Sequence, residues 1–201
     1  MKDKMGSATT TTSNSPRFVF SETQKRKVHH LFNVLDIDRN GQLQPNDFVN
    51  VGKKIVAQLG LSEESRSARM ILLKSHRLFV QLLTDLHNPE LSLTLWDWIA
   101  FFRDQIESED EGILDHYIQR TSRHIFDLFD MNKDKLISQE EYANMLTIYN
   151  IPQKMAIQGF EELDTNGDKF ISADEMVEGL NNFFKSGDAE AKGNLIFGEW
   201  R

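Results

Sequence analysis

Apolar residues recur along this chain at the spacing of α-helices, and the helical segments alternate with short acidic stretches. Ser21 and Gln24 form a capping-box pattern, which predicts that the first helix begins there. The apolar positions that follow at helical spacing are Val28, Leu31, Phe32 and Leu35. Ser62 is expected to cap a longer helix that runs to Leu86. Because almost nothing in the chain has the pattern of a long strand, the predicted fold class is all-α.

Three of the acidic stretches match the pattern of a calcium-binding loop. Calcium takes roughly six to eight oxygens, and a loop of about 12 residues supplies them from positions 1, 3, 5, 7, 9 and 12, with a backbone carbonyl at position 7. We name the stretches loop 1 (36–47), loop 3 (130–141) and loop 4 (164–175), because a degenerate loop 2 (86–97) lies between the first two. The predicted ligands are Asp36, Asp38, Asn40, Gln42 and Asp47 in loop 1, Asp130, Asn132, Asp134, Leu136 and Glu141 in loop 3, and Asp164, Asn166, Asp168, Phe170 and Glu175 in loop 4.

The number of loops decides between calcium sites and acidic surface turns. One such stretch is compatible with a turn that binds nothing, but three stretches, each between helical patterns, favour about three bound calcium ions. Each predicted set of ligands also contains three carboxylates, which repel one another unless a cation neutralises them. The sequence therefore predicts three cation sites.

The three loops depart from the ideal pattern in two ways. Position 6 ordinarily holds a glycine at positive φ, but loop 3 has Lys135 there and loop 4 has Lys169, at a cost on the order of 1 kcal/mol each. Loop 1 keeps Gly41 at position 6 and closes with Asp47 in place of glutamate. The shorter carboxylate reaches an ion less easily, so we expect loop 1 to tilt toward Mg²⁺.

The loops are expected to pair through short β contacts at position 8. The residues at this position are Leu43, Ile137 and Ile171. In loop 2 the same register places Leu93 at position 8 and Asp97 at position 12, but Leu86 replaces the first carboxylate and Pro89 stiffens the turn. We expect loop 2 to pair with loop 1 and to bind no ion, because too few oxygens remain.

The repeated units predict an organisation in four parts. Residues 1–20 are expected to form a disordered Ser/Thr-rich tail, and 21–106 a first pair of helix–loop–helix units. After the charged connector 107–112, residues 111–184 form a second pair, and 185–201 an apolar tail that packs on the domain.

Composition excludes several classes of protein. A net charge of −8 argues against nucleic acid as a partner, and the absence of cysteine excludes disulfides and thiolate sites. No run approaches the roughly 18 apolar residues of a membrane span. Because no nucleophile motif or phosphate-binding glycine loop occurs, we expect a non-enzymatic protein. A cytoplasmic monomer is the default expectation.

The loop pattern resembles the four-EF-hand superfamily over roughly residues 21–200. Active first, third and fourth loops with a degenerate second loop are similar to the sarcoplasmic calcium-binding protein group, including calexcitin-like and calerythrin-like members. The terminal run 193–198, Gly-Asn-Leu-Ile-Phe-Gly, is also similar to that group. This resemblance implies four EF-hands in two packed pairs, and a calcium buffer or signal transducer.

Two alternatives remain beside a calcium buffer. A calcium sensor would bind an unidentified protein target through an exposed groove. A photoprotein would bind a luciferin, but the resemblance implies a pocket histidine and tryptophan where this chain has Leu180 and Phe184. Trp96 and Trp98 are expected to be core aromatics, and His30 is expected at a helix surface or the edge of the core.

Overall fold

The computed structural model describes residues 19–86, 90–108 and 112–201, and these residues form eight α-helices and four two-residue strands. The helices are α1 (Glu22–Leu35), α2 (Pro45–Gln58), α3 (Arg66–Asp85), α4 (Leu95–Glu107), α5 (Gly112–Phe129), α6 (Gln139–Ile148), α7 (Gln153–Leu163) and α8 (Ala173–Lys185). The strands are β1 (Gln42–Leu43), β2 (Leu93–Thr94), β3 (Ile137–Ser138) and β4 (Phe170–Ile171). The prediction of an all-α fold is confirmed.

Side-chain caps set where the helices begin. The capping box of α1 is confirmed, since the Gln24 N–H donates to Ser21 Oγ at 3.2 Å and the Ser21 N–H donates to Gln24 Oε1 at 2.9 Å. The expected cap of α3 was wrong by one turn. Ser65 caps it by accepting the Ala68 N–H at 3.1 Å. The carbonyl of Ser62 instead closes the preceding turn by accepting the Ser65 N–H, so the helix starts after that turn.

The four helix–loop–helix units form two pairs through their loops. Strand β1 pairs antiparallel with β2, with Leu43 opposite Leu93. Strand β3 pairs antiparallel with β4, with Ile137 opposite Ile171. All four position-8 side chains are fully buried, so each pair of loops is joined by a backbone ladder and an apolar contact. The predicted pairing and its register are confirmed.

Aromatic side chains connect the two pairs of units in one core. Phe102 on α4 stacks on Phe184 on α8, with ring centroids 4.9 Å apart and planes 3° apart. Trp98 packs edge-on against Phe102 at 5.0 Å, and its indole N–H donates to the carbonyl of Val28 at 2.9 Å. Trp98 is a core residue as predicted, but Trp96 is 73% exposed, so the prediction was wrong for Trp96. Trp96 and Trp98 are two positions apart on α4, so their side chains leave the helix on nearly opposite sides and only Trp98 points inward.

The C-terminal segment (186–201) crosses both pairs of units. Tyr142 on α6 donates its hydroxyl to the carbonyl of Ile196 at 2.9 Å, and Ile196 is fully buried. His30 on α1 lies with Nε2 2.7 Å from the carbonyl of Phe197, which places it at the edge of the core as expected. The ammonium of Lys27, a fully buried residue, donates to Asn194 Oδ1 at 2.9 Å. The segment therefore holds α1 and α6 together.

Parts of the predicted organisation lie outside the described residues. These parts are residues 1–18 of the expected tail, 87–89 of loop 2 with Asn88 and Pro89, and 109–111 of the connector. Phe20, the last residue of the expected tail, is buried and donates its N–H to Glu107 Oε1 at 3.1 Å. None of the described helices has the length and apolarity needed to cross a bilayer.

Candidate metal sites

The aspartate at position 1 of each loop directly follows a helix and closes the turn that comes next. One carboxylate oxygen accepts the N–H of position 6, at 2.9 Å from Asp36 to Gly41 and at 3.1 Å in loops 3 and 4. The second oxygen, Oδ1, of Asp130 and Asp164 is buried and has no hydrogen-bond partner within the described residues. A buried carboxylate oxygen without a partner is unfavourable. A cation at this point would satisfy it.

Positions 3 and 5 form consecutive turns in which each side-chain oxygen accepts the N–H two residues later. In loop 3 the Asp134 N–H donates to Asn132 Oδ1 at 2.9 Å, and the Leu136 N–H donates to Asp134 Oδ1 at 2.8 Å. Loops 1 and 4 repeat these contacts at 2.7–3.1 Å. The side-chain amide at position 3 or 5 also donates to the neighbouring carboxylate in each loop. Backbone contacts therefore order these oxygens without an ion.

The carboxylate at position 12 joins the two ends of each loop. Glu175 accepts the Thr165 N–H at 3.0 Å on one oxygen and the Ser172 N–H at 2.9 Å on the other. Glu141 makes the equivalent contacts to Met131 and Ser138, both at 2.9 Å. Position 12 is the third residue of the exiting helix, and position 9 is its N-cap. The same side chain thus caps a helix and lies beside the prospective ion.

Loop 1 brings its carboxylates closest together. Asp36, Asp38 and Asp47 each offer one oxygen, and these oxygens lie within 4.8 Å of one another. Asp47 keeps the contacts of the longer glutamates, because it accepts the Ile37 N–H at 3.1 Å and the Gln44 N–H at 2.8 Å. Burial raises the pKa of Asp47, with the charges of Asp38 and Asp36 adding to it and backbone hydrogen bonds opposing it. A divalent cation would remove this repulsion.

The turn at position 6 has the expected left-handed backbone. Gly41 has a φ of 82°, Lys135 of 69° and Lys169 of 73°. The prediction that the two lysines lie at positive φ is confirmed. Sequence reasoning missed position 4, which also has a positive φ in all three loops, 58° at Arg39 and 62° at Lys133. The signal for position 4 was present in loop 4 alone, where that residue is glycine.

The remaining predicted ligands are backbone carbonyls at position 7. Gln42 and Phe170 belong to strands β1 and β4, and Leu136 directly precedes β3. The short ladders therefore fix the backbone of this position in loops 1 and 4, and in loop 3 the ladder begins at the next residue. Sequence reasoning also missed the position-9 caps Ser138 and Ser172, which a Ser-x-x-Glu pattern could have revealed.

Loop 2 still pairs with loop 1 through strands β1 and β2. Thr94 caps α4, and Asp97 accepts the Thr94 N–H at 2.9 Å. Leu86, at position 1, supplies no side-chain oxygen. Within the described residues, three acidic groups spaced within 4.8 Å of one another occur in loop 1 and not in loops 2, 3 or 4, so loop 2 is set apart by its missing first ligand.

Comparisons with known proteins agree with this geometry. A family model for an EF-hand domain pair matches residues 12–54, and a model for a single EF hand matches residues 157–180. The chain is 25% identical to calerythrin from Saccharopolyspora erythraea over 153 residues, which is 76% of this chain and 86% of calerythrin.

Solved structures share the fold. The coelenterazine-binding protein from Renilla muelleri, in its calcium-loaded apo form, superposes with a TM-score of 0.74 at 21% identity, over 89% of this chain and 99% of that one. A sarcoplasmic calcium-binding protein from amphioxus superposes with a TM-score of 0.65 at 18% identity, over 89% and 98%. The chain therefore matches EF-hand models at both ends, is similar to calerythrin in sequence, and shares its fold with a sarcoplasmic calcium-binding protein.

Proposed function

We propose that the chain binds three calcium ions, one in each of loops 1, 3 and 4. The observation that carries this proposal in loops 3 and 4 is the buried Oδ1 of Asp130 and Asp164, which no described group satisfies. In loop 1 it is the approach of three carboxylates within 4.8 Å of one another. An oxygen in this position lowers its energy by coordinating a cation, and hard oxygens suit calcium. The remaining ligands are the carboxylates and amides at positions 3, 5 and 12 and the carbonyl at position 7.

Isothermal titration calorimetry of the metal-free protein tests the number of sites. We expect three calcium ions per chain, with lower affinities in loops 3 and 4 because a lysine at positive φ occupies position 6 of each. A parallel titration in excess Mg²⁺ should suppress the loop 1 site most. Fewer than two calcium sites would contradict the assignment of ligands.

We propose that the protein works as a calcium buffer more than as a sensor that opens. Phe183, Phe184 and Ile196 are fully buried, and the C-terminal segment covers the face that a sensor would expose. Calcium should then produce no increase in the fluorescence of a hydrophobic dye. A large calcium-dependent increase would favour the sensor instead. A monomeric state in the cytoplasm stays a prediction, which light scattering and fractionation test.

A partly open pocket bears on the luciferin-binding alternative. It has a volume of about 80 Å³, and Trp98, Tyr117, Tyr149 and His124 are among its lining residues. Nε2 of His124 is buried without a partner among the described residues, which favours a small polar occupant. A cavity of about 150 Å³ holds one benzene ring, so a coelenterazine-sized ligand would have to displace the walls. We expect no change in tryptophan fluorescence on titration with coelenterazine.

A further inference from the structure

Helix α3 carries a charge opposite to that of the whole chain. The chain has a net charge of −8, but α3 contains four cationic residues and a single acid, Asp85, at its last position. The cationic residues are Arg66, Arg69, Lys74 and Arg77. Asp85 pairs with Arg120 of α5 and so does not balance them. The positive charge of α3 is therefore local and clustered.

The arginines of this cluster are available to a partner. Within the described part of the chain, Arg66, Arg69 and Arg77 make no ion pair, whereas Lys74 lies 3.9 Å from Asp127. Like charges three or four residues apart on a helix repel one another. Of these four cations, only Lys74 is ion-paired within the described residues, so an acidic partner would relieve the repulsion among the arginines.

An apolar groove lies beside these charges. Its apolar lining includes Leu59, Leu61, Met70 and Met131. Its charged lining residues are Arg66, Lys74, Lys133 and Asp127, three cations and one acid, and we name it the α3 groove. Its volume is about 500 Å³. Met70 is 44% exposed, Leu59 39% and Met131 38%, although side chains of this size are usually buried. Methionine adapts its shape to a partner, which suits a binding surface.

We propose that the α3 groove binds an acidic amphipathic helix of a partner protein. The apolar floor would take the apolar face of that helix, and the arginines would take its carboxylates. A flat anionic bilayer fits the same charge, but it cannot reach the floor of a concave groove between α3 and loop 3. The concave shape of the groove therefore fits a partner helix better than a flat membrane surface.

Loop 3 connects the groove to calcium, and this step rests on the proposed function. Met131 is position 2 of loop 3, and Lys133, which also lines the groove, is position 4. A calcium ion would offset the carboxylates of Asp130 and Asp134 behind the groove, which otherwise repel an acidic partner. Asp130 and Asp134 are the sequence neighbours of Met131 and Lys133, so their charges lie close to the groove, where salt screens them least. The partner should therefore bind more tightly in calcium.

Fluorescence anisotropy with a designed peptide tests the proposal. The probe is a labelled helix of about 18 residues with leucines along one face and glutamates elsewhere. A peptide of the same composition with scattered leucines serves as the control probe. We expect the amphipathic peptide to bind, at least about tenfold more tightly in calcium than in chelator, and the scrambled peptide to bind weakly.

Two charge-reversed variants locate the site. Arg66→Glu/Arg69→Glu should weaken peptide binding at least about tenfold, and Glu in the first turn suits the helix dipole, so the fold should persist. Lys25→Glu/Arg26→Glu on α1 has the same change in net charge and should bind as the native protein does. Met70→Ser should also weaken binding, without any change in charge.

Four results would overturn the proposal. They are no binding of the amphipathic peptide by calcium-loaded native protein, equal loss in the two charge-reversed variants, equal binding of the scrambled peptide, and sedimentation with phosphatidylserine vesicles in place of peptide binding. Calorimetry on the same samples separates this outcome from a failure of the proposed function. If loop 3 takes up calcium and the peptide still does not bind, the groove assignment alone is wrong.

Discussion

Replacing Glu175 by glutamine should weaken both the fold and the calcium site of loop 4. The carboxylate is almost fully buried and accepts hydrogen bonds from both ends of the loop. Oε1 of Glu175 accepts from three donors, which are the N–H and hydroxyl of Thr165 and the N–H of Asn166, at 3.0–3.3 Å. Two donors of Ser172 face the other oxygen at 2.8 and 2.9 Å. A carboxylate accepts on both sides, but an amide accepts on one side only.

The size of the effect follows from this arrangement. In Glu175→Gln one group of donors loses its acceptor and meets an NH₂, so two or three charge-assisted hydrogen bonds are lost. At roughly 1.5 kcal/mol net for each bond, the free energy of unfolding without metal should fall by about 3 to 4.5 kcal/mol.

The pH dependence gives a second measure of the same carboxylate. Burial acts to raise the pKa of Glu175, but hydrogen bonds from Ser172, Thr165 and Asn166 outweigh burial and lower it. A lowered folded pKa adds stability that is complete above the ordinary glutamate pKa and disappears as the pH falls through the folded value. The variant should therefore lose less stability on acidification than the native protein.

Urea unfolding in chelator, followed by circular dichroism, measures the stability, and calorimetry counts the calcium ions. Glu178→Gln, on the exposed side of the same helix, removes the same charge and should leave both quantities unchanged. Unfolding of Glu175→Gln at the same urea concentration as Glu178→Gln would refute this prediction. Binding of three calcium ions with native affinity by the Glu175 variant would also refute it.

Three further predictions concern other parts of the site and its support. Burial lowers the pKa of Lys27 to about 8, with nearby negative charge opposing this, so the unfolded chain binds the proton more strongly. Native stability should then rise between pH 8 and 10 relative to Lys27→Met, by up to about 1.4 kcal/mol per pH unit in urea unfolding. Replacing Lys135 and Lys169 by glycine should relieve about 1 kcal/mol of strain at each and tighten calcium binding in calorimetry, whereas Gly41→Lys should weaken it. Asp47→Glu should raise the preference of loop 1 for calcium over Mg²⁺ in competition titrations, and unchanged selectivity would contradict the argument from length.

The sequence determined the features that depend on spacing along the chain. The alternation of oxygen-bearing residues in loops 1, 3 and 4 fixed which residues meet, because a tight turn brings positions 1, 3 and 5 together wherever it lies in the fold. The aliphatic residue at position 8 fixed the register between Leu43 and Leu93, since one buried side chain per strand leaves little freedom to slip. The capping box at Ser21 was likewise local and correct.

Local patterns failed where two similar residues competed for one role. Ser62 and Ser65 are both good caps, and only the turn between them decided that Ser65 begins α3. Trp96 and Trp98 have the same apolarity, and the direction of α4 against α1 decided that Trp98 is buried. The positive φ at position 4 was hidden because arginine and lysine occupy it in two loops.

Tertiary structure alone decided the long-range features. The contacts of the C-terminal segment with Lys27, His30 and Tyr142 join residues more than 50 positions apart, and no periodicity encodes such pairs. The α3 groove likewise combines exposed side chains from α3 and loop 3. Short-range geometry follows from the backbone of a single turn, so the loops could be predicted from the sequence. The packing of distant elements depends on how all their surfaces fit together, so the sequence alone could not specify it.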